Sequence, residues 1–287
     1  GAVAAGFHQT RGIQDVILQR VGRLSTNAQH LLDIAAVIGQ QFDVRLLRLA
    51  GEQDTVCVEK SIAEWLDRRL IESVDAGSPD GYDFSHDKIR EVIYRTLAVG
   101  RRVHLHRRMG EALEQRFSEN LEAHAPFLAY HFERAGCREK ASIYLPLAAA
   151  QAARVYANER ALDYYRRALD LCRFQDERRW RILLQQADVL SLIGSYVDAI
   201  QACQDVIDHG QPDWRARAYR SLAQIARIQR NYDAARHYAE ESERLFREVN
   251  ASGSGPVSNQ YAAALQALGS IEREQSNFER AQDLFET

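Results

Sequence analysis

The side chains best placed for chemistry stand at Ser85-His86-Asp87, where a polar turn gives way to the helical pattern of Asp87 to Leu97. A histidine at a helix start has free backbone N–H groups beside it. It can donate to an anion, which also gains from the positive end of the helix dipole. The competing reading makes Ser85 or Asp87 a helix cap and puts His86 in a domain interface. The most basic stretch is Arg101-Arg102-Val103-His104-Leu105-His106-Arg107-Arg108, which raises the question of nucleic-acid contact. Elsewhere the residue types argue against catalysis. Cys57, Cys137, Cys172 and Cys203 have neither Cys-x-x-Cys spacing nor histidines at ligand intervals. They read as reduced, mostly packed thiols, and no metal site is expected. No Gly-x-x-x-x-Gly-Lys-Ser/Thr loop occurs and no glycine directly precedes lysine, so this segment is not expected to hydrolyse ATP by itself. The carboxylates form no identifiable acid–base pair, and residue order gives no Ser-His-Asp triad. No catalytic residue is assigned, and no cofactor is expected in this segment itself.

The elements that must position these groups are helical. The 287 residues are 46% hydrophobic, enough for two compact units with real cores. Glycine and proline are sparse while Ala, Leu, Glu, Gln and Arg dominate, and these side chains lose little rotamer freedom in a helix. The formal charge of −3 gives no global field to hold nucleic acid or an anionic membrane. The longest uncharged apolar run, Ala141 to Ala153, is too short to span a bilayer and contains Pro146. A cytoplasmic protein without membrane contact is expected. Lysine occurs only at Lys60, Lys88 and Lys140, which hints at a GC-rich bacterial genome.

An internal repeat organises the second half. An aromatic precedes alanine by three residues at Tyr196/Ala199, Tyr232/Ala235 and Phe278/Ala281, with Asn158/Ala161 as a weaker copy. Twelve residues before those alanines stand Ala149, Ala187, Ala223 and Gly269. In a helical hairpin both positions lie where the paired helices cross, and only a small side chain lets the backbones approach. Tyr165, Cys203, Ala239 and Phe285, then Ala168, Val206 and Ser242, complete one face of the second helix. Ala239 is a poor filler there. Extra length falls in loops, around Phe174 to Asp176 and at Asn250 to Pro256. A degenerate hairpin, Phe127 through Gly136 to Ala148, precedes the others and shares its second helix with the next unit. The groove made by successive first helices is the natural seat for a partner protein or peptide.

In the first half, apolar residues recur at helical spacing from Ile13 to Gly39, with Ser25-Thr26-Asn27 supplying cap candidates for a helix carrying Leu31, Leu32, Ala35 and Val37. A short helix follows Asp43, and Val56 to Arg69 reads as a third, with Val58, Ile62, Trp65 and Leu66 inward. Leu70 to Val74 and Tyr82 to Phe84 flank a polar turn from Asp75 to Gly81 as a β-hairpin. Three helices and a hairpin outline a winged helix, and Arg101 to Leu121 reads as a long helix leading into the repeats. The expected fold is therefore mainly α, with a winged-helix-like arm and linking helix over residues 1–122 and a tetratricopeptide-like α-α superhelix over 123–287.

The repeat pattern resembles the tetratricopeptide repeat. Arg23-Leu24, Leu31 to Gly39 with Phe42, Leu66 to Ile71, Phe84 to Tyr94 and Arg102 to His106 together resemble the segment that follows the nucleotide-binding domain in STAND signal-transduction ATPases. Such ATPases occur in bacterial transcription regulators and multidomain cyclases or kinases. The resemblance implies a core ATPase upstream of Gly1, binding ATP or ADP with Mg²⁺, and a partner surface for it on this segment. Ser85-His86-Asp87 is similar to the Met-His-Asp motif of related ATPases, with serine in place of methionine, which implies that His86 contacts the phosphates of ADP. The resemblance also makes the winged helix a relay of nucleotide state, the Arg101–Arg108 arginines a packing and salt-bridge surface toward the ATPase, and the repeats the sensor. The chain begins Gly-Ala-Val and stops at Phe285-Glu286-Thr287 in mid-pattern, which suggests an excerpt of a longer polypeptide, and because the last repeat breaks off, more repeats are expected downstream. Against direct DNA binding, the presumptive recognition helix mixes Glu59, Lys60, Glu64, Asp67, Arg68 and Arg69 without a base-reading face. The rival reading is a stand-alone tetratricopeptide scaffold that binds a protein partner without nucleotide.

Overall fold

The computed structural model describes residues 2–74, 81–173, 176–251, 258–275 and 277–286. Its chain divides into two compact units, Gly1–Tyr144 and Leu145–Thr287.

The first unit opens with α1 (Ala2–Val21) and α2 (Thr26–Ile38). Ser25 caps α2, its hydroxyl accepting from Ala28 N–H at 3.3 Å, and Glu64 in turn accepts from the Ser25 amide and hydroxyl at 2.9 and 2.7 Å. Strand β1 (Gln41–Asp43), which sequence periodicity missed, leads into α3 (Val44–Gly51), capped by Asp43. Three residues are too few for an alternation to show. Helix α4 (Thr55–Asp67) follows, then β2 (Ile71–Ser73) and β3 (Gly81–Phe84). The sheet is antiparallel with order β1-β3-β2, placing Phe42 opposite Tyr82 and Ile71 opposite Phe84. Most of the expected turn between β2 and β3 lies outside the described residues.

The core of this unit sits between α2, α4 and the sheet, where Leu31, Leu32, Leu47, Trp65, Leu70 and Phe84 are fully buried. Each such side chain contributes about 1.5–3 kcal/mol by leaving water. Trp65 also donates its indole N–H to Ala28 O at 3.1 Å, so its one polar atom is satisfied inside the core. Val58, Ile62 and Trp65 point inward as expected, but Leu66 is 41% exposed. It lies beyond the inward stripe, and the chain instead buries Leu70 by ending the helix through Arg69 at φ +50°.

Next come α5 (Asp87–Thr96) and α6 (Val99–Arg116). The long helix expected through Leu121 stops at Arg116, where Phe117 leaves the axis and stacks on His124 at 3.6 Å. A 3-10 turn, Glu122–His124, then enters α7 (Ala125–Arg134), and α8 (Arg138–Arg154) begins in this unit. The approach of α6 to α7 needs Gly110, since a Cβ there would lie 2.7 Å from the Phe132 ring.

The second unit continues with α9 (Asn158–Leu171), α10 (Glu177–Leu192), α11 (Tyr196–His209), α12 (Pro212–Ile228), α13 (Tyr232–Ala251), α14 (Ser258–Glu274) and α15 (Phe278–Glu286). They stack as tetratricopeptide-like helical hairpins. Every small residue marked as a crossing point is buried: Ala149, Ala187, Ala223 and Gly269 on first helices, Ala161, Ala199, Ala235 and Ala281 on second helices. Ala187, Ala199, Cys203, Val206 and Trp214 share one core cluster, and Ala223, Ala235 and Ala239 share the next. Tyr238, the residue before the undersized Ala239, packs against both clusters. Asn250 and Ala251 belong to α13 rather than to the expected loop, the rest of which lies outside the described residues, as do Phe174 and Gln175 of the other loop.

One backbone motif recurs at the hairpin turns. Gly136, Tyr156, Gly194 and Arg230 all adopt positive φ, at +65°, +58°, +82° and +60°. After each, the next amide donates to a carbonyl five residues back: Cys137 to Phe132, Ala157 to Ala152, Ser195 to Leu190 and Asn231 to Ala226, all at 2.9 Å. This pair of features is the Schellman stop, which satisfies carbonyls left open at a helix end.

Candidate functional site

Successive first helices of the second unit, α10, α12 and α14, line a concavity of about 960 Å³. Its residues follow from the repeat register. Counting from the small residues Ala187, Ala223 and Gly269, the next position is Asp188, Gln224 and Ser270, and the position four on is Ser191, Arg227 and Arg273. Six residues before, Arg181 and Arg217 form the other end. A helix turned inward by its small residue therefore presents these positions to the groove.

The electrostatics are uneven. Arg217 lies over the Trp214 ring at 4.6 Å and 3.9 Å from Asp213. Arg227 pairs with Glu274 at 2.5 Å and donates to Gln224 at 3.2 Å. Asp188 faces the concavity, where loss of water pushes its carboxyl above the usual range and Arg220 opposes the rise. Arg220 is lowered by the same desolvation and raised by Asp188. Beneath the floor, burial and the Asp188 charge push the Cys203 thiol up to about 12, leaving it a packed hydrophobe rather than a nucleophile. Tyr165, which the sequence places in the core, is buried and pushed up to about 12 for the same reasons. Leu192 and Ile228, at 61% and 46% exposure, leave an apolar surface at one end of the groove.

His86 lies in the other unit. It is exposed and is itself the N-cap of α5, its Nδ1 accepting from the Lys88 amide at 3.0 Å. Neither Ser85 nor Asp87, the cap candidates of the competing reading, supplies this bond. Because Nδ1 accepts, the neutral ring carries its proton on Nε2, which is a donor.

The basic stretch is spent largely on its own unit. Arg101 contacts His30 and Asp33, Arg102 lies over the Tyr94 ring at 5.6 Å, and Arg108 pairs with Glu52 at 2.8 Å. His106 is buried, leaving His104 and Arg107 exposed. Likewise His131 is buried while Tyr130 is 40% exposed.

Sequence reasoning placed the groove but not the arginines in it, nor the contact between His106 and His131. Reading the positions one, four, minus three and minus six from each small residue would have found the former. Among the described residues, no cluster of three or more His, Cys, Asp or Glu is arranged to hold a metal, and no helix is long and apolar enough to cross a membrane.

No protein-family model matches the chain. An uncharacterized protein of Rhizobium meliloti (strain 1021) is 28% identical over 169 residues, which is 55% of this chain and 16% of that protein. Among solved structures, BtubC (BKLC) from P. vanneervenii is similar with TM-score 0.49 and 16% identity, over 70% of this chain and 80% of that one. The MamA RS-1 ArsTM double mutant gives TM-score 0.44 and 16% identity over 66% and 93%. A Signal Transduction ATPase with Numerous Domains with a tetratricopeptide repeat sensor, from Pyrococcus horikoshii, gives 0.45 and 14% over 93% and 44%.

Proposed function

We propose that this chain is the regulatory and protein-interaction segment of a STAND-type signalling protein, its repeats holding a partner and its first unit relaying nucleotide state. The observation that carries the interaction role is the groove, which gathers polar, charged and apolar side chains from three successive first helices onto one concave face. The relay role is supported by the first unit. Its order of helix, strand, two helices and two strands, with sheet order β1-β3-β2, suits a winged helix, and His86 presents a ring N–H at the exposed start of α5. In this reading ADP holds the winged helix against an ATPase domain of the same protein, and a signal bound by the repeats releases it. Ligands drive such a switch only through unequal contacts with its two states.

A stand-alone scaffold is the second reading, favoured by the internal engagement of Arg101, Arg102 and Arg108, which leaves less of that stretch for another domain. The coding sequence before Gly1 separates the two: a phosphate loop followed by an acidic metal-binding strand is expected under the first and absent under the second. In a longer protein carrying that loop, His86→Ala accelerates ADP release and raises basal output. Unchanged ADP release in that variant removes His86 from the site.

A further inference from the structure

We infer that the groove takes an acidic, amphipathic segment of a protein partner, its carboxylates on the arginines and its apolar side chains on Leu192 and Ile228. The inference rests on the reading of the repeats as a partner-binding surface and adds the chemistry of what they hold.

Five guanidiniums line the groove, those of Arg181, Arg217, Arg220, Arg227 and Arg273, against two carboxylates, Asp188 and Glu274. Five positive and two negative groups leave +3 in the concavity of a chain whose formal charge is −3. The surplus is thus local to this face. Both groove carboxylates are already engaged by arginines of the groove, Glu274 by Arg227 at 2.5 Å and Asp188 by its interaction with Arg220. Arg181 and Arg273 are exposed at opposite ends of the groove wall, and among the described residues neither is within ion-pair distance of a carboxylate. Guanidinium groups bind carboxylates through paired, planar N–H donors, and a concave wall lined by a surplus of one sign focuses that attraction.

The apolar end decides between macromolecules. Leu192 and Ile228 together offer a surface that a sugar-phosphate backbone cannot cover. A peptide alternating acidic and apolar side chains satisfies both the arginines and the apolar end at once.

The test uses the full 287-residue chain and a phage-displayed library of random peptides of about 12 residues, comparable to the anchors a groove reads. Selected peptides are then measured by fluorescence anisotropy against wild type, the Arg181→Glu/Arg273→Glu double variant and a groove-blocking Ser221→Trp variant. Circular dichroism confirms that each variant is folded, and an oligo(dT) probe is run in parallel. The expected result is peptides rich in Asp and Glu interspersed with Leu, Ile or Phe, bound more weakly at higher salt. The double variant weakens them by about tenfold or more, roughly 1.4 kcal/mol, and Ser221→Trp abolishes binding. Neutral or basic peptides blocked by Ser221→Trp yet indifferent to the double variant overturn the acidic inference and leave the partner-binding groove standing. No enrichment, or peptides indifferent to both changes, overturns the two together. Oligo(dT) bound with the same arginine dependence overturns the inference in favour of nucleic acid.

Discussion

The imidazoles of His106 and His131 meet Nδ1 to Nδ1 at 3.0 Å, and both side chains are buried, at 1% and 2% exposure. The Tyr94 hydroxyl stands 2.9 Å from the other nitrogen of His106, so the contact ties α5, α6 and α7 together. A hydrogen bond between two Nδ1 atoms needs a proton on one and a lone pair on the other. The neutral pair meets that need, and two charged rings would not. Burial, followed by the charges of Arg134 and Arg102, keeps His106 below the ordinary histidine range, and burial followed by His106 does the same to His131.

Stability of the first unit accordingly falls with acid. Both folded values lie below the unfolded one, so the unfolded chain binds more protons as the pH drops. The stabilisation is complete above about pH 6.5 and is lost progressively beneath it. Asp33 acts in the opposite direction within the same window, from about pH 6 downward, because burial pushes its carboxyl up to about 6 against the pull of Arg101. The diagnostic is thus a difference. Melting temperatures of wild type should decline more steeply from pH 7 to 5 than those of His106→Leu/His131→Leu; parallel curves would remove the histidines from the account.

The recurrent turn gives a prediction with two signs. Tyr156 and Arg230 hold left-handed backbone with a Cβ in place, a conformation glycine adopts without that clash. Tyr156→Gly and Arg230→Gly should each stabilise by about 0.5 kcal/mol, the relief of strain exceeding the added flexibility of the unfolded chain. At Gly194, φ +82°, alanine should cost about 1 kcal/mol. Urea midpoints of the three variants check the pattern, and a loss of stability at Tyr156→Gly would deny that its turn is strained.

Most of the repeat half was legible because its signal is steric. Ala187, Ala199, Ala223 and Ala235 are small residues buried where paired helices approach, and their fixed spacing can be read without knowing what surrounds them. The left-handed turn residues were half visible, since Gly136 and Gly194 advertise the conformation while Tyr156 and Arg230 conceal it. In the first unit, Leu66 is misplaced and β1 missed by periodicity, because short elements give too few turns of pattern to fix a face. The groove arginines and the His106–His131 contact depend on which helices pack together. A single sequence states that only once the register is known.

The steric reading of the repeats can be tested at one face of α12. Ala223 is 1% exposed and packs with Ala235 and Ala239, whereas Gln224, one residue on, is exposed in the groove. Ala223→Leu should cost about 1–3 kcal/mol by overpacking, while Gln224→Leu should stay within about 0.5 kcal/mol of wild type. Equal effects of the two changes in chemical denaturation would mean that small size is not what the position requires.

His86 has one observed job and one proposed, and substitutions can part them. As a cap, its Nδ1 accepts from the Lys88 amide, a role that asparagine fills well and alanine does not. His86→Ala should therefore lower stability by about 1 kcal/mol and His86→Asn by much less. The proposed anion contact instead needs the proton on Nε2, farther along the ring than an asparagine amide reaches from the same Cα. In a longer protein that retains ADP, His86→Asn should thus keep the stability of wild type and still release ADP faster. If His86→Asn restores both properties, the residue is a cap and the nucleotide role falls; if it restores stability alone, the imidazole serves the anion as well as the helix.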